Sequence, residues 1–304
     1  MSTFKRQFVI QDIGDDRLIT DLLSFWRPAG ADAGKDGLRL AIRDKYVNFY
    51  RGGQSAAKVS FDRNRQVKAR VHGKYVDDKQ IDQEYRKFSS HDNINKAQIK
   101  GWIAEASTKI GDEKKFVDLL VGSNPNVIDL EMTLPFDNRV NYTREPKKAH
   151  TKVAIRVDLV ALEKIEEVWT VVFWEAKPAE LAMTSEAGSE GKRPKVMTQL
   201  DNYTAWVGKN REVVIAQYRS TCELLCRFHS IAAEKSLTIA PLGEGIIAVA
   251  KGATLEMDAQ PRLVIDNRNN YLSFENIYLK TSRDAKIHVQ IVEANGSFVL
   301  ESRV

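Results

Sequence analysis

The stretch RVDLVALEKIEEVWTVVFWEAK, residues 156–177, constrains the fold more than any other part of the chain. Two runs dense in Val, Leu, Phe and Trp read as strands, and the paired Glu166 and Glu167 are where the chain is expected to reverse. Side chains alternate faces along a strand, so Val171, Phe173, Glu175 and Lys177 share one face while Val172, Trp174 and Ala176 share the other. A reversal at Glu166–Glu167 brings Asp158 approximately opposite Glu175, although the turn sequence does not fix the register. Two carboxylates and an ammonium then converge at the end of an apolar hairpin. The plain reading of an E-x-K triplet is an ion pair at a strand end, with Lys177 neutralising Glu175. The apolar surroundings weigh against it, because a buried carboxylate pair is costly unless it is protonated or neutralised by a cation. A hard divalent ion such as Mg²⁺ meets that need, since it accepts one or two carboxylates and keeps several waters.

The rest of the chain supplies the context. With 304 residues, 43% of them hydrophobic, the expectation is one large or two ordinary domains. No stretch approaches the roughly 18–20 uninterrupted apolar residues of a membrane helix, and MSTFKRQFVIQD lacks the apolar core of a signal peptide, so a cytoplasmic location without a membrane partner is expected. Cys222 and Cys226 lie four apart in a helical pattern and do not suggest a disulfide framework. With His229 they form a poor tetrahedral zinc set, and buried small residues are the expectation. Residues 1–90 carry 18 Lys+Arg against 12 Asp+Glu, a net +6, and the remainder 28 against 29. A solvated basic surface is the plain reading of that excess, and a polyanionic partner the alternative.

Read for periodicity, the chain falls into a basic β-rich segment over 1–90, a core over 91–250 and a β-rich extension over 251–304. GLRLAIRD, KYVNFYRGG and SAAKVSFD alternate apolar and polar residues between Asp-Lys and Gly-Gly breaks, as an antiparallel meander does. Residues 96–122 turn helical, with a break near Gly111. Three strands follow in NVIDLEMTLPF, VAIRVDLVALE and VWTVVFWEAK, then a helix in KVMTQLDNYTAWVG and a longer one in EVVIAQYRSTCELLCRFHSIAAEKS. GEGIIAVAKG reads as a buried strand, and RLVIDN, NIYLK and KIHVQIVEANGSFVLES as further sheet. This order predicts an α/β protein built on a central mixed sheet flanked by helices.

Asp158 followed by Glu175-Ala176-Lys177 resembles the D…(D/E)-x-K signature of the PD-(D/E)XK nuclease superfamily, with Val157 where the name has Pro. QLDNY places Gln199 and Tyr203 four apart on one helix face, and resembles the QxxxY motif of the RecB-like and lambda-exonuclease-like branch. The resemblance covers about residues 96–250 and implies a restriction-endonuclease-like core with β-rich N-terminal and C-terminal additions. It implies that Asp158, Glu175 and the Ala176 carbonyl hold Mg²⁺ or Mn²⁺, that Lys177 positions or deprotonates a water, and that Gln199 and Tyr203 orient the site. An additional upstream acid is also implied. Glu131, alone between Leu130 and Met132 in the preceding strand, is the choice, with Glu105 or Glu113 on the preceding helices as alternatives. Lys192, Arg193 and Lys195 end the loop before the QxxxY helix and are candidate phosphate contacts.

The resemblance therefore implies a metal-dependent nuclease, with DNA as substrate and endonuclease action expected, in defence, restriction or repair. The alternative is a nucleic-acid-binding or assembly subunit that keeps the fold without cleaving. A protein partner or a homo-oligomer stays open in either case.

Overall fold

The structure is a computed structural model that describes residues 4–9, 16–76, 85–142, 155–182, 194–271 and 287–302. Among them it is an α/β protein with a five-stranded antiparallel sheet, a six-stranded mixed sheet and six α-helices. Two compact units divide the chain: residues 5–129 with 217–253, and residues 1–4 with 130–216 and 254–304. No helix among the described residues is long and apolar enough to cross a membrane.

In the first unit, α1 (Arg17–Ser24) is capped by the Asp16 carboxylate on the N–H groups of Leu18 and Ile19. The meander runs in order through β1 (Arg39–Arg43), β2 (Tyr46–Arg51), β3 (Gln54–Phe61), β4 (Val67–His72) and β5 (Tyr85–Ser89). Its first two turns are the expected Asp44-Lys45 and Gly52-Gly53 pairs. Gly52 and Gly53 take φ of 48° and 72°, and a Cβ on Gly52 would stand 2.4 Å from Ile110 Cδ1, so both the turn and the packing require glycine there. Alternation is plain in β4: Val67, Ala69 and Val71 are buried, whereas Lys68, Arg70 and His72 are not. Helix α2 (Lys96–Ser107) opens with a reciprocal capping box between Asn95 and Gln98 and packs on β2 and β3. Gly111 caps α3 (Asp112–Ser123), so the helical region does break there.

Asp129, 1% exposed, gathers two of this unit's buried arginines. It accepts hydrogen bonds from Arg6 Nε at 3.1 Å, Arg43 Nη1 at 2.6 Å and the Tyr218 hydroxyl at 3.2 Å. One carboxylate thus serves two guanidinium groups that are themselves almost fully buried.

The second unit is built on the six-stranded sheet. β6 (Val127–Leu134), β7 (Ile155–Ile165) and β8 (Val168–Pro178) are consecutive neighbours. The hairpin between β7 and β8 turns on Glu166 and Glu167, at φ 46° and 67°. Two positive-φ residues form the turn type whose twist matches paired strands, here without the Asn-Gly that usually supplies it. Its register runs from Ile165↔Val168 to Leu159↔Trp174, and one step further sets Asp158 across from Glu175. The short α4 (Ala179–Ala182) follows β8 directly.

Two segments differ from the sequence reading. The two helices expected over 195–235 are one continuous α5 (Lys195–Glu234). Gly208 costs helix propensity, but the segment holds no proline to end the helix. GEGIIAVAKG is not a strand but helix α6 (Glu244–Ala250), with Gly243 at its N-cap and Ile246 and Val249 buried. A short apolar run fits either period, and the tertiary surroundings decide: the Gly245 N–H donates to Asn126 Oδ1 at 2.9 Å, and a Cβ on Gly243 would meet Asn126 Oδ1 at 2.3 Å.

The later strands of the mixed sheet come from the tail. β9 (Leu255–Met257) and β10 (Arg262–Asp266) both pair parallel to β8, and β11 (Val289–Val292) pairs parallel to β10. β8 therefore lies between β7 and β10, buried on both faces, which accounts for its nearly unbroken apolar sequence. The segment NIYLK lies outside the described residues.

Candidate active site

The hairpin brings its three charges together. Lys177 Nζ stands 2.7 Å from Glu175 Oε1 and 3.5 Å from Asp158 Oδ2. Glu175 is 1% exposed and Asp158 3%. On the other side of β8, the register neighbours of Glu175 and Lys177 are Leu263 and Ile265 of β10, both fully buried. The strand end is therefore walled by hydrocarbon where its acids sit.

The strand ladder fixes Asp158 as well. The Ala176 N–H donates to Asp158 Oδ2 at 3.1 Å, beyond the last paired residues of β7 and β8. The N–H and C=O of one strand residue leave the backbone on the same side, so the Ala176 carbonyl turns toward Asp158 too.

Tyr203, fully buried on α5, reaches Glu175 Oε2 at 2.6 Å, and its hydroxyl also donates to the Arg156 carbonyl. A phenol has one proton, so it cannot donate to both acceptors. Burial first, and then the Asp158 charge, push the Glu175 carboxyl up to about 8, while Lys177 and Tyr203 pull it down by less. The Tyr203 hydroxyl is thus shared between the Glu175 carboxyl and the Arg156 carbonyl. Gln199, one turn before Tyr203, is half-exposed. Leu200 and Trp206 fall in the core, where Trp206 Nε1 donates to the Pro135 carbonyl at 2.9 Å.

Glu131 is 5% exposed on β6, the strand beside β7, and its Oε2 lies 3.4 Å from Arg156 Nη1. Its φ of 51° places a non-glycine residue in left-handed backbone inside a strand, a strain that persists only where the surroundings impose it. Glu105 is exposed on α2 and Glu113 half-buried on α3, both in the first unit. Lys195 is exposed at the start of α5, and Lys192 and Arg193 lie outside the described residues.

Arg156 was missed in the sequence. It precedes Asp158 by two residues and so shares its face, it links Tyr203 to Glu131, and its side chain is 61% exposed. Period-two counting back from Asp158 would have found it. The Cys222 and Cys226 thiols are free, and burial raises both above the usual thiol range. His229 instead hydrogen-bonds the Ala240 carbonyl at 3.0 Å.

The donor set at the hairpin end is all oxygen: two carboxylates and a main-chain carbonyl. Among the described residues no group of three or more His, Cys, Asp or Glu converges to hold a metal. Two carboxylate ligands suit Mg²⁺, which keeps most of its water, and a divalent charge would relieve both the burial of Glu175 and its repulsion by Asp158. The residues present therefore fit such an ion. Comparison of the chain with family models, with curated proteins and with solved structures gives no match.

Proposed function

We propose that this protein is a divalent-metal-dependent endonuclease that hydrolyses phosphodiester bonds of DNA on a restriction-endonuclease-like PD-(D/E)XK core. One observation carries the reading: the 2.6 Å contact between Tyr203 and Glu175 joins the QxxxY and E-x-K motifs, 28 residues apart, in one buried site. The element order α3, β6, β7, β8, α4, α5 is compatible with it, and the later strands β9 and β10 both pair parallel to β8. Defence, restriction or repair is the proposed setting.

Asp158 and Glu175 supply carboxylate oxygens to the metal, and the Ala176 carbonyl a third. When bound, the ion lowers the pKa of a coordinated water and offsets charge on the attacked phosphate. Lys177, within 3.5 Å of both acids, is placed to orient that water and to neutralise developing charge. Tyr203 fixes the Glu175 rotamer by donating its hydroxyl proton to it, and the exposed Arg156 guanidinium on the same face as Asp158 is available to a phosphate. Binding nucleic acid alone requires none of the carboxylates.

The metal part of the proposal is tested by thermal melting in Mg²⁺ or Mn²⁺ against EDTA. The wild type is expected to gain about 2.7 kcal/mol at a metal concentration near 100 times Kd. Glu175→Gln is expected to lose that gain. A wild type that melts identically with millimolar metal and with EDTA removes the ion from the account.

A further inference from the structure

The solvated face of the meander carries a row of cations. Lys58 on β3 is in register with Arg70 on β4, and Arg70 with Lys87 on β5. Cross-strand partners share a face and lie about 5 Å apart, so three positive charges stand side by side. Like charges directly opposite one another destabilise a sheet. Among the described residues, no carboxylate pairs with Lys58, Arg70 or Lys87.

Protection of an exposed edge explains Lys87, because β5 is the edge strand. It does not explain Lys58 and Arg70, which sit on interior strands. Tyr85 gathers them: Lys58 Nζ donates to its hydroxyl at 3.1 Å and lies 4.7 Å from the ring centroid, and the Arg70 guanidinium lies 5.3 Å from it. Arg70, Lys87, Tyr85 and Arg86 also line a hollow of about 900 Å³ at this edge of the sheet. Among the described residues that line it the acid is Asp92, which is turned onto the Ser89 N–H and hydroxyl at 2.5 and 2.8 Å.

We infer that the Lys58–Arg70–Lys87 row is a binding site for the sugar–phosphate backbone of nucleic acid. The tyrosine ring is already occupied by cations, so the face offers charge to phosphates rather than a stacking platform to bases. The contact is therefore independent of sequence and strongly dependent on salt. The identity of the polyanion rests on the nuclease reading, whereas the site itself does not.

The test is fluorescence anisotropy of a labelled DNA duplex titrated with the full chain in EDTA, over a range of salt concentrations. Lys58→Gln/Arg70→Gln/Lys87→Gln is expected to weaken binding at least tenfold and to reduce the slope of log K against log salt by about 3, near one per phosphate contact. Arg70→Gln/Lys87→Gln alters only exposed side chains, keeps the Lys58–Tyr85 contact, and is expected to reduce the slope by about 2. A double variant with the wild-type slope and affinity overturns the site, as does a wild type that binds no duplex at low salt. Because EDTA removes cleavage from the measurement, loss of binding in the variants of a protein that never cuts DNA would sustain this site while removing the nuclease reading.

Discussion

Asp158→Asn is expected to slow DNA cleavage by at least about 10³-fold, some 4 kcal/mol of transition-state stabilisation, without lowering the melting temperature in EDTA. The asymmetry follows from what each atom does. An asparagine oxygen still accepts the Ala176 N–H that Asp158 now holds at 3.1 Å, so no buried donor is orphaned. The substitution removes one charge from a pair that already raises the Glu175 carboxyl, so the metal-free protein loses a repulsion. Lys177 keeps its closer partner, Glu175, at 2.7 Å. What is lost, on the proposed function, is an anionic oxygen ligand for the metal. Single-turnover cleavage beside a melting curve separates the two effects, and wild-type rates in folded Asp158→Asn would remove this residue from the site.

The largest expected effect on stability lies elsewhere, at Asp129. Asp129→Ala is expected to cost about 3–5 kcal/mol, because it leaves the buried Arg6 and Arg43 guanidinium groups without the carboxylate they share. Tyr218 loses its acceptor in the same step. Equilibrium denaturation by urea reads the loss directly. A change under about 1 kcal/mol would mean that water reaches these arginines and that they do not depend on Asp129. Replacing the whole cluster with apolar residues is a different experiment, since a buried ion pair often adds little over well-packed hydrocarbon.

Much of the site was legible because it depends on local period. Alternation along VWTVVFWEAK puts Glu175 and Lys177 on one face, and a turn at Glu166–Glu167 is enough to set Asp158 across from Glu175. Helical spacing puts Tyr203 on the face that meets the strand. The breaks at Gly111 and Gly52-Gly53 were legible for the same reason, as each needs only its own backbone conformation. What escaped depends on residues distant in sequence. The α6 run is short enough to satisfy either period, and Asn126, more than a hundred residues earlier, holds its first turn. That β10 would pair parallel to β8 is written in neither segment alone. The left-handed backbone at Glu131 carries no signal at all, because glutamate is not a residue that marks positive φ. The row of Lys58, Arg70 and Lys87 needs the register of three strands, where the sequence offered only a basic excess over residues 1–90.

Asp158, Glu175 and Lys177 are proposed to form a metal-dependent site for phosphodiester hydrolysis. The most direct test incubates the wild-type protein with supercoiled plasmid in Mg²⁺ or Mn²⁺, beside an EDTA control and the Lys177→Ala variant. Nicked or linear plasmid is expected with metal, none with EDTA, and little with Lys177→Ala. Intact supercoiled plasmid in every lane containing folded wild-type protein and metal would contradict it.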